Sequence, residues 1–457
     1  MRNVYLIGIG GIGMSALARY YNHAGSFVAG YDKTLSKITA ELEREGITIH
    51  YEDSIDLVPE CIKEDIENSL IIYTPAVPSG MSELKWFTEQ GYRLVKRSLA
   101  LGEIAASKVA LAVAGTHGKT STSTMLAHII TSSGNGCTAF LGGISKNYHT
   151  NLLLSKSEWL VAEADEFDRS FLQLWPKSAI ITSTDADHLD IYGDHSSIKE
   201  AFAAFASQIK PGGDLIIKHN IGLNAQLSEG VKSYTYSFDE GGDFHADNIK
   251  ALDGGYFSFT LVHPRGRIDD CRVGIPGWVN VENGIAASAA ALLNGVNEEQ
   301  VRRALSTFAG VERRFDIHIN TPKIAYIDDY AHHPREISAA ITSIRNIFPN
   351  RKLTGVFQPH LYTRTRDFAE EFAASLDMLD ELLLMDIYPA RELPIEGVSS
   401  EIIFNKMLLS KKRMVNKEDL MSCVDNIDPD ILITFGAGDI DRFIEPLREA
   451  LKKRYNV

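Results

Sequence analysis

Cysteine is scarce and scattered. The four in 457 residues, Cys61, Cys137, Cys271 and Cys423, contain no Cys-x-x-Cys pair. That argues against a zinc centre built on thiolates and against a disulfide framework, and makes a reducing compartment the simplest expectation. No run of about 18 apolar residues occurs, so no membrane span is expected. The apolar stretch near the N-terminus breaks at a glycine cluster and is too short for a secretory signal. Basic residues are not in excess: 46 Lys and Arg stand against 60 Asp and Glu, a formal net charge of -14. That argues against a broad nucleic-acid footprint, which needs a basic face. An anionic small substrate remains open, because a local basic cluster can sit on an acidic body. These absences leave a cytoplasmic globular chain with no nucleic-acid or membrane partner, expected as a monomer or weak homodimer.

What is present is ordinary in bulk and specific in detail. Hydrophobic residues make up 44% and charged residues 23%, the proportions of a globular protein, and the length suggests about three domains. Strand-like apolar runs alternate with helical ones, an α/β pattern. Three blocks emerge: 1–108, 109–310 and 311–457. The middle block also holds a glycine- and aspartate-rich stretch, Asp239 to Gly255, that reads as hairpins.

The apolar run Val109 to Ala114 reads as a buried strand, and Lys119 to about Ile130 as a helix. Between them lies Gly115-Thr-His-Gly-Lys-Thr-Ser121. Strand, glycine-rich turn and helix N-terminus form a cradle for phosphate: backbone N–H groups point inward and the helix dipole favours negative charge. Lys119 would reach the terminal phosphates of a nucleoside triphosphate and the Thr120 hydroxyl would ligate magnesium. The common pattern has glycine where this chain has Val113, so the loop is a shorter variant with Gly115 as its first glycine.

A second glycine turn opens the chain. Gly8-Ile-Gly10-Gly11-Ile12-Gly13 follows a strand from Asn3 and precedes a helix to about His23, and Asp32 ends the next strand. The spacing is that of a dinucleotide fingerprint. Read alone it suggests a nicotinamide-dependent oxidoreductase; read with the second phosphate loop it suggests a nucleotide-linked substrate used together with ATP. Thr74, in Thr74-Pro-Ala-Val-Pro78, follows the strand Ser69 to Tyr73, at the strand end where open α/β sheets bind ligands.

Polar clusters follow four further strands. Glu163-Ala-Asp-Glu-Phe-Asp168 and Asp185-Ala-Asp-His188-Leu-Asp190 stand where a phosphate-loop protein holds magnesium, with Glu163 and His188 as candidate ligands. In the last block, Asp328-Asp329-Tyr330-Ala-His332-His-Pro334 offers a carboxylate for ribose hydroxyls and a ring for a base. Gln358-Pro-His360-Leu-Tyr-Thr-Arg364-Thr-Arg366 offers guanidinium forks for carboxylate or phosphate, and Arg313 and Arg314 add charge.

Taken together, Gly8 to Ser15, Gly115 to Thr120, Glu163 to Glu166, Ala186 to His188, Asp328 to Pro334 and Gln358 to Arg366 resemble the Mur ligases, ATP-dependent amide-forming enzymes of peptidoglycan synthesis. The resemblance spans nearly the whole chain. It implies an N-terminal Rossmann-like UDP-binding domain, a central P-loop ATPase domain and a C-terminal Rossmann-like domain. It implies ATP and Mg2+ as cofactors, and UDP-N-acetylmuramate and L-alanine as substrates. The first turn (Gly8, Gly10, Gly11, Ile12, Gly13, with Asp32 and Thr74) then holds the UDP-sugar. Gly115 to Ser121, Asn280, Asn283, Arg314, Asp329 and Tyr330 hold ATP. Thr120, Glu163 and His188 hold the metal, Lys119, His332 and Arg364 serve catalysis, and His360 and Arg364 receive the amino acid. A relative with another acceptor, such as the murein tripeptide-recycling ligase, is the alternative; the Gln358 to Arg366 motif argues against it. A catalytically silent nucleotide-binding regulator is a further alternative, against which Lys119, Thr120 and Glu163 stand. Val279 and Leu361 depart from the family's usual histidine and arginine.

Overall fold

The computed structural model describes residues 2–457 apart from 79, 186–188 and 391. Three α/β sheets follow one another along the chain. The first comprises β1 (Asn3–Ile7), β2 (Phe27–Tyr31), β3 (Thr48–His50), β4 (Ser69–Tyr73) and β5 (Arg93–Lys96), in the order β3-β2-β1-β4-β5. Every pairing is parallel. Strands covered on both faces must be apolar throughout, and Val4 to Ile7 and Leu70 to Ile72 are all buried. The order reverses between β1 and β4, so the turns after Ile7 and Tyr73 flank the crevice where such sheets bind ligands.

The second sheet contains β6 (Val109–Ala114), β7 (Thr138–Ser145), β8 (Thr150–Leu153), β9 (Trp159–Glu163), β10 (Ser178–Ile181), β11 (Asp214–Lys218) and β12 (Lys232–Tyr236). Its order is β12-β11-β10-β6-β9-β7-β8, with only β7 and β8 antiparallel. The Val109 run is thus the central strand, paired with β10 on one side and β9 on the other. The glycine- and aspartate-rich stretch leads into a small three-stranded sheet, β13 (His245–Ala251), β14 (Phe257–His263) and β15 (Gly266–Arg272). The third large sheet holds β16 (Asp316–Asn320), β17 (Ala325–Asp329), β18 (Leu353–Phe357), β19 (Glu381–Met385), β20 (Lys412–Val415) and β21 (Ile431–Phe435). The order is β16-β17-β21-β18-β19-β20, parallel except for β16.

Two compact units result. The first two sheets share one unit: Met1–Lys250, Ser258–Gly274 and Asn280–Ala309. The second unit contains Gly310–Val457 together with Ala251–Phe257 and Ile275–Val279, two short stretches that the sequence reading grouped with the middle block. Inside the first unit a seam joins the two sheets. The helix Ile12–His23 carries Ser15 and Arg19 toward the β7–β8 hairpin. Asn151 Nδ2 donates to Ile12 O (2.5 Å) and to Ser15 Oγ (2.9 Å), and Arg19 Nη1 donates to Asn151 Oδ1 (2.5 Å). Tyr20 and Phe140 meet with ring centroids 5.6 Å apart. One asparagine, buried and fully engaged, therefore fixes the first helix to the second sheet.

A buried acid lies on the other face of the first sheet. Glu83 accepts from Tyr5 Oη (2.6 Å) and Ser54 N (3.2 Å), and Tyr5 Oη also contacts His50 Nε2 at 2.6 Å. Burial outweighs these hydrogen bonds and pushes the Glu83 carboxyl up to about 7, while burial pulls His50 down. The folded chain thus holds the Glu83 proton more tightly than the unfolded chain does, so ionisation works against the fold. Stability from this group declines as pH rises from the ordinary carboxylate range through 7. Glu83→Gln should therefore melt progressively later than the parent as pH rises from 5 to 8. A melting-temperature gap that stays constant over that range would refute the assignment.

Candidate active site

The triphosphate-type loop is built on the end of the central strand. Gly118 caps the helix Lys119–Ser132 in the left-handed region (φ 80°), and Gly115 sits at φ 135°. Both conformations favour glycine. The loop after β10 holds the turn from beside it. Thr182 Oγ1 donates to Ala114 O (3.2 Å) and to His117 O, Ser183 Oγ accepts from His117 N (2.8 Å), and Asp185 N donates to Thr116 Oγ1 (3.1 Å). Lys119 Nζ donates to Gly115 O (2.6 Å) and lies 2.7 Å from Glu166 Oε2. Burial alone would lower its pKa, but Glu166, Asp165 and Glu163 raise it well above the usual lysine value. The ammonium is therefore a fixed positive charge at the mouth of the loop. Asn280 and Asn283 lie three residues apart on the helix Trp278–Leu293, hence on one face. The Asn283 Oδ1 accepts from Thr122 Oγ1 (3.2 Å) and lies 3.0 Å from where a Cβ on Gly118 would stand.

Two of the three donors expected at the metal are among the described residues. Thr120 begins the same helix one residue after Lys119 and is buried. Glu163 ends β9, next to β6, and its buried Oε2 makes no hydrogen bond. Gly142 faces this carboxylate so closely that a Cβ there would stand 2.1 Å from Oε2. A buried carboxylate oxygen without a partner, near enough to the glycine loop to act on the Lys119 ammonium, fits a hard cation such as magnesium, whose shell is usually completed by phosphate and water. His188 lies outside the described residues. Among the described residues no group of three or more His, Cys, Asp or Glu surrounds one metal position.

The first glycine turn and its two expected companions meet at the crevice of the first sheet. Gly8 has φ 83°, and a Cβ there would stand 2.7 Å from Thr74 Cγ2. Gly10 N donates to Asp32 Oδ2 (2.8 Å). Gly11 caps the helix Ile12–His23 without any side-chain hydrogen bond, and no acidic residue occupies the first turn, which leaves that positive helix end open to an anion. Beside the turn lies a cleft of about 540 Å³. Tyr73, Pro75, Leu84, Leu94, Lys96 and Phe167 are among its lining residues.

In the second unit, the expected residues gather at the ends of β17 and β18. Asp329 accepts from Phe315 N (2.9 Å) and Ala331 N (2.8 Å). Burial pushes its carboxyl up to about 7, against the pull of Arg314. The Arg314 and Arg313 guanidinium carbons stand 4.8 and 5.3 Å from the Tyr330 ring centroid. His332 Nδ1 contacts Tyr330 O at 3.0 Å, and its ring centroid is 5.8 Å from that of His360. Arg364 is buried on the short helix Tyr362–Asp367. Leu361, the departure from the family pattern, is buried at φ 72°, a conformation that a residue of its bulk adopts rarely.

Several residues with a part here carry no local sequence signal. Ser183 and Thr182 read as ordinary polar residues after a strand, yet they hold the phosphate loop. Glu166 was legible as part of an acidic run but not as the partner of Lys119. Tyr388 stacks on His360 (centroids 5.9 Å, 20° between planes) from a loop 28 residues away. Lys96 and Arg97 reach Asp168 (2.8 Å) and Asp165 (3.3 Å) from a strand end that contains no motif.

Comparisons with known proteins match this arrangement along the chain. Residues 3–109 match the Mur ligase family catalytic domain, residues 113–291 the Mur ligase middle domain, and residues 313–438 the Mur ligase glutamate ligase domain. A curated UDP-N-acetylmuramate–L-alanine ligase of Parabacteroides distasonis is 53% identical over 452 residues, 99% of this chain and 97% of that protein. The crystal structure of UDP-N-acetylmuramate–alanine ligase from Thermotoga maritima superposes with a TM-score of 0.82 at 27% identity, over 98% of this chain and 100% of that one. A murein peptide ligase from Psychrobacter arcticus shares the fold, with a TM-score of 0.70 at 23% identity over 99% and 98% of the two chains.

Proposed function

The chain belongs to the Mur ligase family, and we propose that it joins L-alanine to the lactyl carboxylate of UDP-N-acetylmuramate, converting ATP to ADP and phosphate in peptidoglycan synthesis. The observation that carries this reading is its likeness, over almost the full length of both chains, to the Parabacteroides alanine-adding ligase. The two glycine-rich phosphate loops within one unit support it, because the reaction needs a diphosphate and a triphosphate together. We assign the UDP-sugar to 1–108 and the phosphates of ATP to 109–310, with 311–457 as the ligase domain that adds nucleotide contacts and receives the amino acid, and the reaction to the cytoplasm.

The chemistry follows from the reactants. A carboxylate and an amine form a salt, so the carboxylate must first be activated. The lactyl carboxylate attacks the γ-phosphorus of ATP and ADP leaves, giving an acyl phosphate. The neutral amine of alanine then attacks the acyl carbon, loses a proton and expels phosphate. Lys119 is placed to neutralise charge on the transferred phosphoryl group, and the loop N–H groups to orient it. Magnesium, when bound by Thr120 and Glu163, supplies further charge neutralisation at the phosphates. His360 and Arg364 hold the amino acid, Arg364 through its carboxylate, and His332 stands as the group nearest in kind to a proton acceptor. Asn280, Asn283, Arg314, Asp329 and Tyr330 bind the nucleotide.

A coupled assay of ADP release tests this reading, with ATP, magnesium, UDP-N-acetylmuramate and L-alanine each omitted in turn. ADP formation is expected only with all four. Turnover with a murein tripeptide in place of alanine would move the chain to the recycling branch, and silence with every acceptor would favour a regulator.

A further inference from the structure

The diphosphate turn has an electrostatic problem. Gly8 to Ser15 contains only glycine, isoleucine, methionine and serine, with no basic side chain. The charged group bonded to it is Asp32, a carboxylate, which accepts from Gly10 N. A diphosphate set on this turn would bring two or more negative charges toward that carboxylate with only backbone N–H groups and one helix end to balance them.

Arg97 answers it. Its side chain passes directly over the turn: a Cβ on Gly13 would stand 2.9 Å from Arg97 Nη1 and 3.1 Å from its Cδ. Gly13 therefore leaves the space that the guanidinium occupies, since a side chain there would displace it. Arg97 Nη2 meanwhile donates to Asp165 Oδ2 at 3.3 Å, a long contact between partly exposed groups, which a better acceptor can replace. Lys96, the preceding residue, pairs with Asp168 and lines the neighbouring cleft.

Resting on the UDP-sugar reading of the first turn, we propose that Arg97 is a binding residue for the diphosphate, its guanidinium held over Gly13 and exchanging Asp165 for phosphate oxygens when the ligand arrives. A guanidinium fork suits this exchange because it presents parallel donors to carboxylate and phosphate alike.

Calorimetric titration of UDP and of ATP into the full-length parent, Arg97→Met, Arg97→Lys and Asp165→Asn tests it. Arg97→Met should weaken UDP by about tenfold to a hundredfold and leave ATP within about twofold, the loss expected for a charge-assisted contact. Arg97→Lys should recover part of that loss. Asp165→Asn should bind UDP at least as tightly as the parent, because it removes the competitor. Parent-like UDP binding by Arg97→Met would overturn the proposal. So would Asp165→Asn losing UDP affinity as far as Arg97→Met does, since Arg97 would then act only through its ion pair. If Arg97→Met fails to fold, Arg97→Lys should still bind UDP several-fold more weakly than the parent while Asp165→Asn binds it at least as tightly, and parent-like binding by Arg97→Lys or a loss of about tenfold in Asp165→Asn would overturn the proposal. A parent that binds ATP but no UDP overturns the underlying reading of the turn, an outcome distinct from either.

Discussion

Lys119→Ala should abolish ADP release while the chain still folds. The ammonium is bonded to Gly115 O within the glycine loop, and in the proposed reaction it meets the terminal phosphates of ATP. Removing a preorganised charge at a transferring phosphoryl group costs on the order of 3–4 kcal/mol of transition-state stabilisation, or roughly 10²–10³ in rate. The loss here should reach or exceed the upper end. Three carboxylates, Glu163, Asp165 and Glu166, act on this ammonium, and without it they would repel the incoming triphosphate. Ground-state ATP binding should therefore weaken together with turnover. The coupled assay measures the first effect in kcat/KM and calorimetry the second. A variant that keeps a tenth of parental activity would remove Lys119 from the role assigned to it.

Gly115→Ala should be nearly as damaging, for a different reason. A Cβ at this position would stand 2.0 Å from Thr182 Oγ1, 2.8 Å from Ser183 N and 3.0 Å from Thr182 N. Two of those atoms are backbone of the segment next to β10, which is paired to the central strand and cannot retreat. Residue 115 also sits at φ 135°, where an L-residue pays a strain of order 1–3 kcal/mol. The loop must therefore leave its position, and the Thr182 and Ser183 bonds to the His117 peptide go with it. ATP affinity should fall by about a hundredfold or more, with the circular dichroism spectrum little changed, because the flanking strand is central in its sheet and the flanking helix is buried along most of its length. Calorimetry decides; affinity within about threefold of the parent would show that the loop tolerates the displacement.

Legibility in the sequence followed the range of each interaction. The phosphate loop, the first turn and the strands that carry them could be read directly, because apolar runs ending in glycine set backbone geometry locally. The bond from Gly10 to Asp32 lies one βαβ unit apart, a separation that fold regularity makes predictable. Glu163 could be placed at a strand end, yet the crowding of its carboxylate against Gly142 depends on two strands being neighbours in the sheet. The grip of Ser183 on His117, and of Arg97 on Asp165, spans 66 and 68 residues. Such pairs have no spacing rule, since they arise only once the strand order β10-β6-β9 and the packing of the first sheet exist. The grouping of Ala251–Phe257 and Ile275–Val279 with the second unit was equally invisible, because chain order says nothing of which surface a hairpin covers.

The Asn151 seam bears on how such a gene can be recombined. A chimera that exchanged 1–108 for the matching segment of a distant relative would cut the chain where it looks modular, at the approach to β6. It would also orphan Asn151: its amide would lose Ile12 O and Ser15 Oγ, and Arg19 would be lost with the donated piece. Workable crossovers fall after Ala309, where the first unit ends, or carry the hairpin Thr138–Leu153 along with the first helix. Exchange of 310–457 between relatives is the graft this architecture permits; exchange of 1–108 alone is the one it resists.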